Sequence, residues 1–229
     1  MRQIQPILMN PYLIPVNKAF KQHADPVKAA GAKAYMRNQF EFFGIQTPIR
    51  RQISKEIFQA RLPEIETLPI IIRDAWAQSE REFQYFAIEL AGAMKNKWPP
   101  DMVPLIEDMI TQKSWWDSVD HIATWILGPY FQKYPNQIKD VTFKWNQSEN
   151  FWLQRSSIMF QKSYRSKTDT KLLTDYILHC AGSKEFFIQK AIGWALREYA
   201  KTNPDWVKKF VKTHELPVLS RREALKHFN

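Results

Sequence analysis

Residues Ser114 to His121 read SWWDSVDH, setting two tryptophans and two carboxylates within eight positions. A carboxylate can complete a helix cap, pair with an arginine, or stabilise positive charge that develops on a bound molecule. Asp117 falls three residues after Ser114, where an acid completes a cap and complements the helix dipole. Asp120 has no such capping role. It lies four residues after Trp116, so a helix brings an acid and an indole onto one face. Either chemistry at that face or an ion pair with Arg155 from a neighbouring element accounts for Asp120.

Those residues sit inside a repeat. Ser79, Ser114, Ser148, Ser183 and Ser220 each open an apolar, helix-patterned segment, at spacings of 35, 34, 35 and 37 residues. Each serine is a candidate N-cap, and Glu82, Asp117 and Glu223 stand at the fourth position of a capping box or its Asp analogue. A shorter amphipathic segment precedes each one: TLPIIIRDAWAQ, DMVPLIEDMITQ, NQIKDVTFKWNQ, DTKLLTDYILHC and PDWVKKFVKTH. The unit is a helix pair of about 35 residues that must stack on its neighbours to bury its apolar faces. Closer to the N-terminus, helices are predicted from Asp25 with Pro26 in the first turn, and from Thr47 with Pro48. The predicted architecture is all-α: HEAT-like helical repeats stacked into a curved solenoid, a single domain over 1–229, with the second helices lining a concave basic face.

Matching the second helices on apolar positions aligns Phe83-Gln84-Tyr85, Val119-Asp120-His121, Leu153-Gln154-Arg155 and Ile188-Gln189-Lys190. In that register Asp120 fills a slot otherwise held by Gln, and Lys190, Trp194 and Arg197 share a helix face. A carboxylate is costly on a surface built for a polyanion, which favours chemistry at Asp120.

The polyanion is inferred from charge. The net charge is +10, and residues 151–229 hold 15 Lys and Arg against 7 Asp and Glu, where residues 1–150 hold 18 against 16. A basic, aromatic-rich, glycine-poor chain with nine Trp and six Gly fits a helical protein with an anionic partner. Cys180 is the sole cysteine, which excludes an internal disulfide. The stretch MRQIQPILMNPYLIPV is broken by Pro6, Pro11 and Pro15 and lacks the pattern of a signal peptide, so a cytoplasmic location is expected. The five histidines are scattered, and neither a metal site nor a cofactor is expected. By composition and spacing alone, the chain reads as a helical-repeat protein that binds nucleic acid, with catalysis an open alternative.

Six stretches resemble a known family: AKAYMRNQFEFFGIQTPIRRQ, SEREFQYFAIEL, TQKSWWDSVDHIA, NFWLQRSSIMFQ, GSKEFFIQKAIGWALREYAKTNP and LSRREALKH. Together they run from about residue 32 to 227 and resemble the AlkD-type DNA alkylation-repair glycosylases, which have HEAT-like repeats. The resemblance implies excision of N3- and N7-alkylated purines, such as N3-methyladenine and N7-methylguanine, from duplex DNA without a tight base pocket. It places the catalytic aspartate at Asp120, sugar-contacting tryptophans at Trp116 and Trp194, and the arginine beside the site at Arg155, expected to hold a phosphate. A lesion-strand tyrosine falls on Tyr35 and a DNA-contacting arginine on Arg197. Lys190, Arg221 and Arg222, in the basic C-terminal third, are expected to grip the DNA backbone. A monomer in the bacterial cytoplasm, associated with the nucleoid, is the corresponding expectation.

The chemistry fits the residue types. An alkylated purine leaves as a neutral base, so the general acid of an ordinary glycoside hydrolase is dispensable. One carboxylate remains necessary, near the sugar carbon that becomes positively charged. Two rivals stand beside this reading. A non-catalytic repeat module would bind damaged DNA or a protein partner. A nuclease would need a metal-binding carboxylate cluster, for which Asp117 and Asp120, about 60° apart around a helix, are poorly placed.

Overall fold

The computed structural model of the protein describes residues 9–228; residues 1–8, including Pro6, and residue 229 lie outside the described residues. The chain divides into two compact units, Met1–Trp98 and Pro99–Asn229. No β-strand occurs among the described residues, only one isolated bridge between Glu41 and Glu80. No helix among them is long and apolar enough to cross a membrane.

The first unit contains α1 (Ile14–Gln22), α2 (Pro26–Tyr35), α3 (Thr47–Ala60), α4 (Leu68–Ala77) and α5 (Arg81–Ala93). The two N-terminal expectations hold. Asp25 caps α2 by accepting from the Val27 and Lys28 amides at 3.1 Å, and Pro48 stands in the first turn of α3. Phe20, Phe83 and Phe86 are buried and form the aromatic centre, with Phe20 5.5 Å from Phe83 ring to ring. Beside it the buried Glu82 carboxylate accepts from the Phe43, Gly44 and Ile45 amides at 3.1, 2.9 and 3.2 Å. Glu82 therefore secures the 43–45 loop and does not close a box with Ser79. Gly44 is required in that loop: its φ is +84°, and a Cβ there would lie 2.3 Å from the Asp25 carbonyl.

The second unit holds four helix pairs. Their first helices are α6 (Val103–Thr111), α9 (Ile138–Asn146), α11 (Thr170–Cys180) and α13 (Pro204–Thr213). Their second helices are α7 (Trp116–His121), α10 (Phe151–Met159), α12 (Phe186–Ala200) and α14 (Val218–Ala224). α7 runs on as a π-helical stretch, Ile122–Leu127, and then as α8, Gly128–Lys133. Pro129 supplies a physical reason for the wider turns, since it lacks the amide for an i→i−4 bond and its ring crowds the carbonyl four residues earlier. Gly128 lets the start of α8 approach the residue that ends α10 closely, because a Cβ at that position would lie 2.6 Å from the Phe160 carbonyl.

The predicted pairs are present, but the serines are not the caps. The N-cap positions of α5, α7, α10 and α12 are Glu80, Trp115, Asn150 and Glu185, each 35 residues after the last. Ser114 instead donates to the Ile110 carbonyl at 2.6 Å, and Ser148 and Ser183 accept from the amides of Asn150 and Glu185. Ser220 is inside α14 and donates to the Gln189 carbonyl at 2.8 Å, fastening α14 to α12. Asp117 keeps its place in the first turn of α7, where it complements the dipole, while the cap position falls on Trp115.

The caps also correct the register. Counted from them, Asp120 is equivalent to Tyr85, Arg155 and Lys190, and not to the glutamines. Two of those glutamines have internal work. Gln84 is buried and donates to the Ala75, Trp76 and Gln78 carbonyls at the end of α4, and Gln189 donates to the Ser183 carbonyl at 3.1 Å.

Candidate functional site

Within the second unit, α7 packs on α10, α10 on α12, and α12 on α14. Residues five positions past successive caps therefore meet across helices. Arg155 Nε donates to Asp120 Oδ1 at 2.6 Å and Arg155 Nη2 to Asp120 Oδ2 at 2.7 Å, a two-pronged guanidinium–carboxylate pair. The third prong, Nη1, donates to the Phe187 carbonyl at the start of α12. Arg155 is buried, its side chain 1% exposed, while Asp120 retains 17%. The charge of Asp120 is thus anchored from behind and reachable from outside.

This arrangement changes the expected role of Arg155. A buried guanidinium turned toward Asp120 and the Phe187 carbonyl faces protein, whereas a phosphate ligand would face solvent. Its position suits orienting the carboxylate. Removing one partner of such a buried pair costs roughly 3–5 kcal/mol, because the other is left uncompensated.

Trp194 stands next to this pair. Its ring centroid is 5.5 Å from the Arg155 guanidinium, 5.0 Å from Lys190 Nζ, 5.7 Å from Lys162 Nζ and 5.8 Å from the Arg197 guanidinium. All four fall within the range of cation–π attraction, about 6 Å from the ring centre. Lys190, Trp194 and Arg197 share one face of α12, as their spacing predicts, and all three turn toward one acid from α14. Glu223 Oε1 accepts from Lys190 Nζ at 2.9 Å, and Oε2 accepts from Trp194 Nε1 at 3.2 Å and Arg197 Nη1 at 2.8 Å. Burial raises the Glu223 pKa, and the bonds and charges of Lys190, Trp194 and Arg197 outweigh it, holding the carboxyl below its ordinary range.

Glu223 is the residue that sequence reasoning misplaced, as the acid of a cap for Ser220. The usable signal was Gly193. A Cβ there would lie 2.4 Å from Glu223 Cβ and 2.9 Å from the Ser220 carbonyl, so only glycine allows α14 to settle against α12 at this height. A glycine one residue before a tryptophan in a helix interior, where it costs about 1 kcal/mol relative to alanine, signals such a close approach.

The remaining predicted residues are placed separately. Trp116 opens α7, one turn before Asp120, and is partly exposed. Its neighbour Trp115 belongs to the packing: its ring lies 6.1 Å from Trp152 and 5.3 Å from Phe187. Arg221 and Arg222 are exposed on α14. Near Trp194 a cleft of about 370 Å³ is lined in part by Lys162, Arg165, Lys201 and Thr168. In the first unit, Tyr35 ends α2 with 70% exposure and lines a cleft of about 260 Å³ together with Lys28 and Arg50.

Comparison with known proteins places the chain in a family. Residues 16–228 match the model of the family described as DNA alkylation repair enzyme. A predicted DNA alkylation repair enzyme from Enterococcus faecalis is 35% identical, with a TM-score of 0.84 over 90% of this chain and 96% of that one. AlkD2 from Streptococcus mutans is 16% identical, with a TM-score of 0.60 over 80% of this chain and 90% of that one. The smu.31 protein of Streptococcus mutans UA159 is 15% identical, with a TM-score of 0.59 over 91% of this chain and 98% of that one. At such identities the last two share the fold. No curated protein matches the sequence.

Proposed function

The chain belongs to the DNA alkylation repair enzyme family, and from that premise we propose that it is a DNA glycosylase for positively charged N3- and N7-alkylated purines in duplex DNA. Its reaction is hydrolysis of the N-glycosidic bond, the first step of base excision repair. The observation that carries the reading is Asp120, a single reachable carboxylate held in a guanidinium fork beside a tryptophan.

The base leaves neutral, so no acid need protonate it. Positive charge gathers instead on the sugar. A carboxylate has about four lone-pair sites, and the Arg155 fork takes one on each oxygen. The remainder can face the sugar carbon and orient a water toward it. Arg155 fixes the angle of the carboxylate before substrate arrives, which lowers the reorganisation needed during reaction. Trp116 and Trp194 offer π faces to the electron-poor sugar, an attraction of roughly 0.5–2 kcal/mol each. Lys190, Arg197, Arg221 and Arg222 hold the phosphate backbone, Tyr35 contacts the lesion strand, and the base need not be extruded.

The test is release of N7-methylguanine and N3-methyladenine from methylated duplex DNA by the wild type and by Asp120→Asn, with folding and DNA affinity checked in parallel. Release by the wild type, lost in a variant that still binds, supports the reading. The fork itself favours a second one, in which Asp120 is only the structural partner of Arg155 and the protein is a DNA-binding module. Binding by both proteins with release by neither establishes that alternative.

A further inference from the structure

Four cations surround a ring whose proposed substrate is itself cationic. Arg155, Lys162, Lys190 and Arg197 all lie within 6 Å of the Trp194 centroid. Such a cluster attracts DNA phosphate but repels an alkylated purine and the positive sugar that follows. Asp120 offsets Arg155. Among the described residues, Glu223 alone meets both Lys190 and Arg197, and it also takes the Trp194 N–H. Its side chain is only 11% exposed, so water does little to screen its charge.

We propose that Glu223 is a positioning residue that acts through its charge. It fixes the Trp194 indole and cancels enough of the Lys190 and Arg197 charge for this face to accept a cationic base. The proposal rests on the glycosylase reading for its consequence in catalysis, but its binding consequence is independent of cleavage. The fold enforces the contact. Gly193 admits Glu223 against α12, and Ser220 bolts the same turn of α14 to the Gln189 carbonyl. A residue whose only duty was to anchor α14 would not need to collect two cations and an indole N–H on one carboxylate.

Glu223→Gln keeps the size and one acceptor oxygen but removes the charge. Three consequences follow if the charge matters. Affinity for undamaged duplex DNA rises, by roughly three- to tenfold, with a salt dependence steeper by about one unit of log–log slope, because one more cation faces phosphate. Preference for a duplex carrying cationic N7-methylguanine over an unmodified duplex falls. The single-turnover rate of base release at saturating enzyme falls about tenfold, the effect of a modest change in transition-state charge stabilisation.

A double variant, Glu223→Gln with Lys162→Gln, restores the net charge around the Trp194 ring through a cation that is given no part in holding the DNA backbone. Recovery of the single-turnover rate to within about threefold of wild type supports the proposal. Weaker binding to undamaged DNA together with a slower rate in both variants, or no change in either, overturns it in favour of a structural anchor. Should the wild type release no base, the glycosylase reading fails by itself. The lesion preference of Glu223→Gln in binding then still decides the charge-setting role.

Discussion

Two carboxylates on the second unit meet their cations in opposite ways. Asp120 has one partner, a buried arginine approaching from behind, and keeps its outer side open. Glu223 has three donors and is the more enclosed of the two, at 11% exposure against 17%. On the proposed reading, the difference separates two uses of the same chemistry. An acid that must act on a ligand is held by one fork and left reachable. An acid that must set the charge of others is placed behind them.

The sharpest way to break this contrast is to neutralise each acid. Asp120→Asn is expected to slow base release by about 100- to 1,000-fold, the usual result of deleting one preorganised electrostatic group, while DNA affinity is retained. A smaller loss there than in Glu223→Gln, measured under single-turnover conditions, would reverse the assignment of the two acids. Next in size is Arg155→Met, which leaves Asp120 without its counter-charge. About 3 kcal/mol of stability should disappear, at the lower end for a buried pair because Asp120 keeps access to water; the shift in the urea midpoint measures it.

Gly193→Ala sharpens the comparison from the other side. The added methyl meets Glu223 Cβ and the Ser220 carbonyl, so α14 must shift, at a cost of about 1–3 kcal/mol. Thermal melting should show that loss. Tryptophan fluorescence should change as Trp194 is released, with the Asp120–Arg155 pair untouched.

The smallest effect is in pH. The Glu223 carboxyl is depressed from its ordinary value of 4.5, so the folded state binds its proton less readily than the unfolded chain. The stabilisation is therefore fully present above pH 4.5 and is lost as pH falls through the lower, folded value. The melting-temperature gap between wild type and Glu223→Gln should hold from pH 7 to pH 5 and narrow below pH 4.5. A gap that widened on acidification would contradict the ion-pair account.

Much of the helix pattern was legible in the chain, including the 35-residue spacing, the first helices and the starts at Pro26 and Thr47. Register was less so. An apolar stripe on a helix is more than 100° wide, and one residue turns the helix by 100°, so Val119 could be aligned with Leu153 although the cap count aligns it with Gln154. The serines misled for a related reason: serine just ahead of a cap bonds locally nearly as well as at it, as Ser148 and Ser183 do with Asn150 and Glu185.

The sequence by itself determined an all-helical chain with its excess positive charge in the last third and an acid beside tryptophan in WWDSVD, because helix periodicity and charge are local properties. Only the tertiary structure decided that Arg155 backs Asp120, that the Phe187 carbonyl holds the third prong, and that Glu223 serves Lys190, Trp194 and Arg197. Those partners lie 26 to 35 residues apart. They meet only because successive second helices pack at the same height, and the height is set by contacts such as Gly193 against Glu223, which spacing in one chain does not specify.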